Sequence, residues 1–237
     1  MKAYNPESDG GTRMQQQFNN NGQPQPMNNM QPATNFTGQL NHGAHEVLDT
    51  HEVLHGFVSA FNEYLMCEQH IKDPELKDIL GRQRQFMTDE YNILVETFKT
   101  GKEPARQTSV YKMNQSNEVQ YGLASAPPTK PNQQVTQLGD KCVSGVMLTC
   151  MKSLSGVMTM AATECTNPVV RRVIADSVPN HIEMAYELFL YQNKKGYYQV
   201  PQFSEQDMQQ MLNAYSPANG MPGNGMPNMN PQGKMMQ

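Results

Sequence analysis

Apolar positions recur in steps of three and four over four stretches of the chain and nowhere in sustained alternation, so helices rather than strands are predicted. In residues 43–71 the stripe runs through Val47, His51, Leu54, Val58, Phe61 and Leu65, the seam of an amphipathic helix in a bundle. Asp73 and Pro74 supply an N-cap and a first-turn proline. Leu76, Ile79, Leu80, Phe86, Met87, Tyr91, Leu94 and Phe98 follow, and Gly101 stops the helix. The second helix therefore folds back on the first.

The same start returns 94 residues later: Asn167-Pro168 repeats the cap and proline, and Val170, Val173, Ile174 and Leu188 fall on Leu76, Ile79, Leu80 and Leu94. Gly196 closes this helix. Its partner is predicted over about residues 134–165, where Gly145, Ser153, Gly156, Ala161 and Ala162 are small enough to admit a neighbouring backbone. Residues 102–133, with Pro104, Pro127, Pro128 and Pro131, read as a long connection. Two short-looped hairpins joined by one crossover of about 30 residues predict an all-α, ferritin-like four-helix bundle. Ser204-Glu205-Gln206-Asp207 can cap a short fifth helix through Met208, Met211 and Leu212.

Composition places the domain boundaries. Only 37% of the 237 residues are apolar and 17% charged, low for a globular chain. Residues 1–40 and 216–237 hold 16 of the 33 Gly and Pro and 9 of the 19 Met. The first end is Gln/Asn/Pro-rich and the second Gly/Met/Pro/Asn-rich, with too little apolar surface to offset the entropy of ordering, so both are expected to be disordered. They flank one helical domain over 41–215, and such tails on a compact body also read as adhesive segments for packing many copies.

Charge removes some partners. With 18 Lys+Arg against 22 Asp+Glu and no basic run, there is no electrostatic footprint for nucleic acid or an anionic membrane surface. The start Met1-Lys2-Ala3-Tyr4-Asn5-Pro6-Glu7 lacks the apolar region of a secretory signal. No continuous apolar run reaches the roughly 18 residues of a membrane span. The expectation is a soluble protein made in the cytoplasm, without membrane insertion. Cys67, Cys142, Cys150 and Cys165 form no Cys-x-x-Cys pair and are expected to be reduced, mostly buried small hydrophobes.

Candidate chemistry centres on three histidines and a glutamate. His51-Glu52-Val53-Leu54-His55 satisfies H-E-x-x-H, but Val58 and Phe61 break the metzincin extension, and His45-Glu46-Val47-Leu48-Asp49 nearly repeats the motif as helix-building sequence. A di-metal carboxylate bundle needs Glu-x-x-His on two helices. Val178 stands three residues before His181, and Glu90 has no His three residues on. His55, Glu90 and His181 nonetheless lie about mid-helix, so one central polar layer is expected, a buried hydrogen-bonded cluster. A non-standard metal or redox site using His51, His55, Glu90 and His181 is the alternative. Pro179 should kink the fourth helix beside His181. No catalytic residue and no cofactor are predicted.

His45-Glu46-Val47-Leu48-Asp49-Thr50-His51-Glu52-Val53-Leu54, Lys72-Asp73-Pro74-Glu75-Leu76-Lys77-Asp78-Ile79-Leu80 and Asp89-Glu90-Tyr91-Asn92 resemble the coat F family of bacterial endospore proteins. Asn167-Pro168-Val169-Val170-Arg171-Arg172, Glu183-Met184-Ala185-Tyr186-Glu187 and Gly196-Tyr197-Tyr198-Gln199-Val200-Pro201 extend the resemblance over about residues 43–203. It implies a ferritin-like helical fold and a non-catalytic structural role in or under the spore coat, or on the forespore. The implied partners are other coat proteins or further copies of the chain, as a homo- or hetero-oligomer. In such a setting Tyr191, Tyr197, Tyr198 and Tyr215 read as exposed tyrosines open to oxidative cross-linking, or as ordinary amphipathic residues at helix ends.

Overall fold

A computed structural model describes residues 42–218; the predicted tail 1–40 and most of 216–237 lie outside the described residues. Four long helices account for the body: α1 (Ala44–Glu68), α2 (Pro74–Thr100), α3 (Asp140–Glu164) and α4 (Pro168–Lys194), followed by a short α5 (Glu205–Leu212). The third helix starts later than expected, because Val135–Gln137 form a separate 3₁₀ turn and Gly139 caps α3. The left-handed backbone at Gly101 (φ 63°) and Gly196 (φ 71°), which a Cβ would strain, follows the ends of α2 and α4.

Each helix packs on two antiparallel neighbours, α1 on α2 and α3, and α4 on α2 and α3. At one end of the bundle the start of α2 meets the start of α3, where Asp140 Oδ1 accepts from Lys72 N at 2.8 Å. At the other end Gly101, past the end of α2, meets the start of α4, where Asn167 Nδ2 donates to Gly101 O at 3.1 Å. The crossover must therefore run the full length of the bundle. Two hairpins joined by one long crossover is the connectivity that the loop lengths predict.

The duplicated pattern is a duplicated burial register. Each of the nine buried positions of α2 has a buried counterpart 94 residues later in α4, from Leu76 and Val170 to Thr97 and Tyr191. The same offset relates α1 to α3, pairing Thr50 with Ser144, Val53 with Met147, Phe57 with Met151, Ala60 with Leu154 and Tyr64 with Met158. The hairpins thus share one core geometry although their side chains differ.

Three expectations are corrected. The buried stripe of α1 is Glu46, Thr50, Val53, Phe57, Ala60 and Tyr64, one residue earlier than the predicted seam. Two of those positions are polar and one is alanine, so hydrophobicity alone favours the neighbouring stripe, where Val58 and Leu65 are in fact exposed. On α3, Ser153 and Gly156 face solvent and a Cβ at Gly156 would meet nothing, so these small residues admit no helix. By length and composition α3 could cross a membrane, yet here Met147, Met151, Leu154 and Met158 are core. All four cysteines are free and half-buried rather than mostly buried.

Candidate functional site

The polar interior consists of two neighbouring clusters on α2 and α4. In the first, Asn180 Nδ2 donates to Glu90 Oε1 at 2.8 Å, and His181 Nδ1 lies 3.0 Å from Ser177 O and 3.6 Å from Glu90 Oε2. Burial raises the Glu90 carboxyl to about 8, against the pull of the Asn180 and Ser177 hydrogen bonds, and lowers His181 to about 4. At neutral pH the two face each other uncharged, so this is no ion pair. Nδ1–H then donates to the Ser177 carbonyl. Glu90 Oε2 and His181 Nε2 remain without a hydrogen-bond partner, and the Phe57 ring stands edge-on to the imidazole, 5.6 Å between centroids.

The second cluster is built on Glu187, which is fully buried. Its carboxylate accepts from Arg82 Nη2 (2.7 Å), Tyr111 OH (2.5 Å), Gln83 Nε2 (3.1 Å) and the backbone N–H of Asn114 (3.1 Å). Tyr64 OH donates to Gln83 Oε1 at 2.7 Å, joining α1 to the network. Burial opposes the charge on Arg82, but Glu187 and Asp78 hold its pKa above the ordinary arginine value. Burial and the Glu187 carboxylate hold the Tyr111 phenol protonated far above its usual range. A carboxylate with four donors is a clamp rather than a free base.

What it clamps is the crossover. Along α4, Asp176 accepts from Thr108 Oγ1 at 2.8 Å, Asn180 Oδ1 from Tyr111 N at 2.9 Å, and Asn193 Oδ1 from Gln120 N at 2.7 Å. Asn180 Nδ2 also donates to Ser109 O, and Asn193 Nδ2 to Gln120 O. Backbone groups of Ser109, Tyr111, Asn114 and Gln120 in the crossover are thus paired with polar side chains of α4. Tyr111 is the crossover's buried anchor, edge-on to Phe86 at 5.2 Å.

Of the four candidate ligands, the structure brings together two. Glu90 and His181 meet in the core, whereas His51 and His55 lie on the exposed side of α1 with Glu52. The central layer expected from His55, Glu90 and His181 therefore loses its first member, because the burial register of α1 is rotated by one residue. Among the described residues no three His, Cys, Asp or Glu side chains gather as metal ligands. Tyr191, expected at the surface, is buried with its hydroxyl donating to Asp73 Oδ2 at 3.0 Å; Tyr215 is 91% exposed.

Sequence reasoning missed Glu187, Arg82 and Tyr111. The legible signal was the offset of 94 residues, which places Glu187 on Ile93, a buried position, and so demands partners for its charge.

The molecule is thus an all-α four-helix bundle whose long crossover is strapped along α4 by buried polar side chains. The Coat F domain matches residues 139–201, the second hairpin. The chain is 47% identical over 178 residues to the spore coat protein F-like protein YhcQ of Bacillus subtilis (strain 168), covering 75% of this chain and 82% of that protein. It belongs to the coat F family. A solved structure of a candidate spore coat protein from Bacillus halodurans C-125, 17% identical, superposes with a TM-score of 0.50 over 68% of this chain and 94% of that one, a likeness of fold.

Proposed function

We propose that the chain is a non-catalytic structural component of the bacterial endospore, residing in the coat and assembling with coat components or with further copies of itself. The observation that carries this is the 47% identity over 178 residues to a spore coat protein F-like protein. The architecture supports it: the buried carboxylates and hydroxyls of the Glu187 cluster are engaged in holding the crossover, and the HExxH residues stand on an exposed helix face. The tails over 1–40 and 216–237 enter the proposal as adhesive segments.

A fluorescent fusion in sporulating cells tests the address. Signal concentrated on the forespore and retained on the released spore is expected. A uniform cytoplasmic signal throughout sporulation would overturn the reading.

A further inference from the structure

The fifth helix has no home in its own chain. Met208, Met211 and Leu212 occupy one face of α5 at i, i+3 and i+4, with Phe203 ahead and Tyr215 behind, yet no α5 residue is buried. Phe203, Met211 and Leu212 are 63%, 58% and 67% exposed. A helix of eight residues is not self-sustaining in water; its stability comes from the surface that covers its apolar face.

A groove of about 690 Å³ lies at the same end of the bundle, between the last part of the crossover, the first turns of α3 and Tyr197. Pro127, Pro131, Gly145 and Tyr197 provide apolar walls, and Lys130 and Lys141 outnumber the one acid of the lining, Asp140, whose Oδ1 is taken up by the Lys72 and Asp73 N–H groups. The segment 203–215 carries Glu205 and Asp207 and no basic residue. Among the described residues none of Lys130, Lys141, Glu205 and Asp207 enters an ion pair. An acidic amphipathic arm is thus rooted at Val200, three residues past Tyr197 in the wall of an apolar groove whose lining is net positive. The arm's root is held by the bridge of Val200 to Tyr121 and Gly122.

We propose that α5 of one copy seats its Met208–Met211–Leu212 face in the Lys130–Lys141 groove of a second copy. Because arm and groove sit at the same end, the exchange is reciprocal and closes as a two-fold dimer. The inference rests on the reading of the bundle as an assembly unit, but it is decided on purified protein, apart from the localisation experiment.

Light scattering coupled to gel filtration on the full chain is expected to give twice the 26.7 kDa of one chain. The triple variant Met208→Asp, Met211→Asp, Leu212→Asp, at positions outside the core, should be monomeric with the four long helices intact, losing at most the helical signal of α5 itself. Lys130→Glu with Lys141→Glu should weaken the dimer by about tenfold or more, and Glu205→Lys with Asp207→Lys in the same chain should restore it. A monomeric wild type at all concentrations overturns the proposal, including the outcome in which α5 docks in its own groove. A dimer indifferent to both sets of variants overturns it too, by assigning the contact to another surface or to a tail.

Discussion

Glu46 reaches across the bundle to Asn167: its carboxylate accepts the Asn167 backbone N–H at 2.6 Å and that of Thr166 at 2.6 Å, closing the first turn of α1 onto the start of α4. Ninety-four residues on, Asp140 does the same at the other end of the molecule, accepting from Asp73 N at 3.1 Å and Lys72 N at 2.8 Å. Each hairpin opens with an acid that ties down the loop of the other. In both loops the tied residue is itself an N-cap before a proline, with Asp73 accepting from Glu75 N and Asn167 from Val169 N.

Glu46 is fully buried and Asp140 only partly so, which makes the two ties unequal. Glu46→Ala should lower unfolding stability by about 2–4 kcal/mol, since it leaves buried N–H groups and the Thr166 hydroxyl unpaired. Asp140→Ala should lose about 1–2 kcal/mol. Burial alone would raise the Glu46 carboxyl, but the bonds from Asn167, His42 and Thr166 hold it below its usual value. Its contribution is therefore present above the unfolded carboxyl range and lost as pH falls through the lower folded value. Urea titrations at pH 7 and pH 3.5 check both statements.

The Glu90–His181 pair gives stability an unusual alkaline limb. A carboxyl raised to about 8 when folded binds its proton more tightly in the folded state, so stability falls as pH rises towards 8. A histidine lowered to about 4 has the opposite sign, losing stability as pH falls from its unfolded value. Between about pH 4.5 and 6.5 the two oppose each other. Above that window Glu90 acts alone, and a loss of about 1–2 kcal/mol is expected between pH 6.5 and 8. Glu90→Gln should remove this slope, read as urea midpoints against pH.

Tyr111 joins the crossover to the core through one hydroxyl. Tyr111→Phe deletes its bonds to Glu187 and Arg82 while keeping the ring against Phe86, and should lose about 1–2 kcal/mol. Limited proteolysis within 102–133 should accelerate more than cleavage within the helices. Glu187→Ala should be worse, about 2–4 kcal/mol, because it takes the acceptor from Tyr111, Gln83 and the Asn114 N–H at once, while Arg82 keeps Asp78.

His51, Glu52 and His55 lie on the exposed face of α1. Glu52→Gln and His55→Ala should each change stability by less than about 0.5 kcal/mol. Peptide hydrolysis by the wild type, abolished by a chelator and by Glu52→Gln, is the result that would contradict this assignment.

The helices, their caps and their pairing were legible because each rests on local chemistry: a three-four rhythm, Asp73-Pro74 and Asn167-Pro168 at two starts, Gly101 and Gly196 beyond two ends. The polar interior was legible only in part. Glu90 and His181 stand on stripes that hydrophobicity marks clearly, and their meeting could be anticipated. His55 was misplaced because α1 buries Glu46 and Thr50 while exposing Leu48, Val58, Leu65 and Met66, so its apolar pattern points to the wrong face. Glu187 was invisible to the same method, since a charge is scored as surface until its partners are known.

Sequence alone therefore specified the elements and their connectivity, because capping, periodicity and loop length act over a few residues. Tertiary packing decided which faces turn inward and which polar groups survive there. Glu46 can be buried only because Thr166 and Asn167 come to it from 120 residues away, and Glu187 only because Arg82, Gln83 and Tyr111 converge on it. Burying a charge depends on donors brought from distant parts of the chain, and that is a property of the assembled bundle rather than of any one segment.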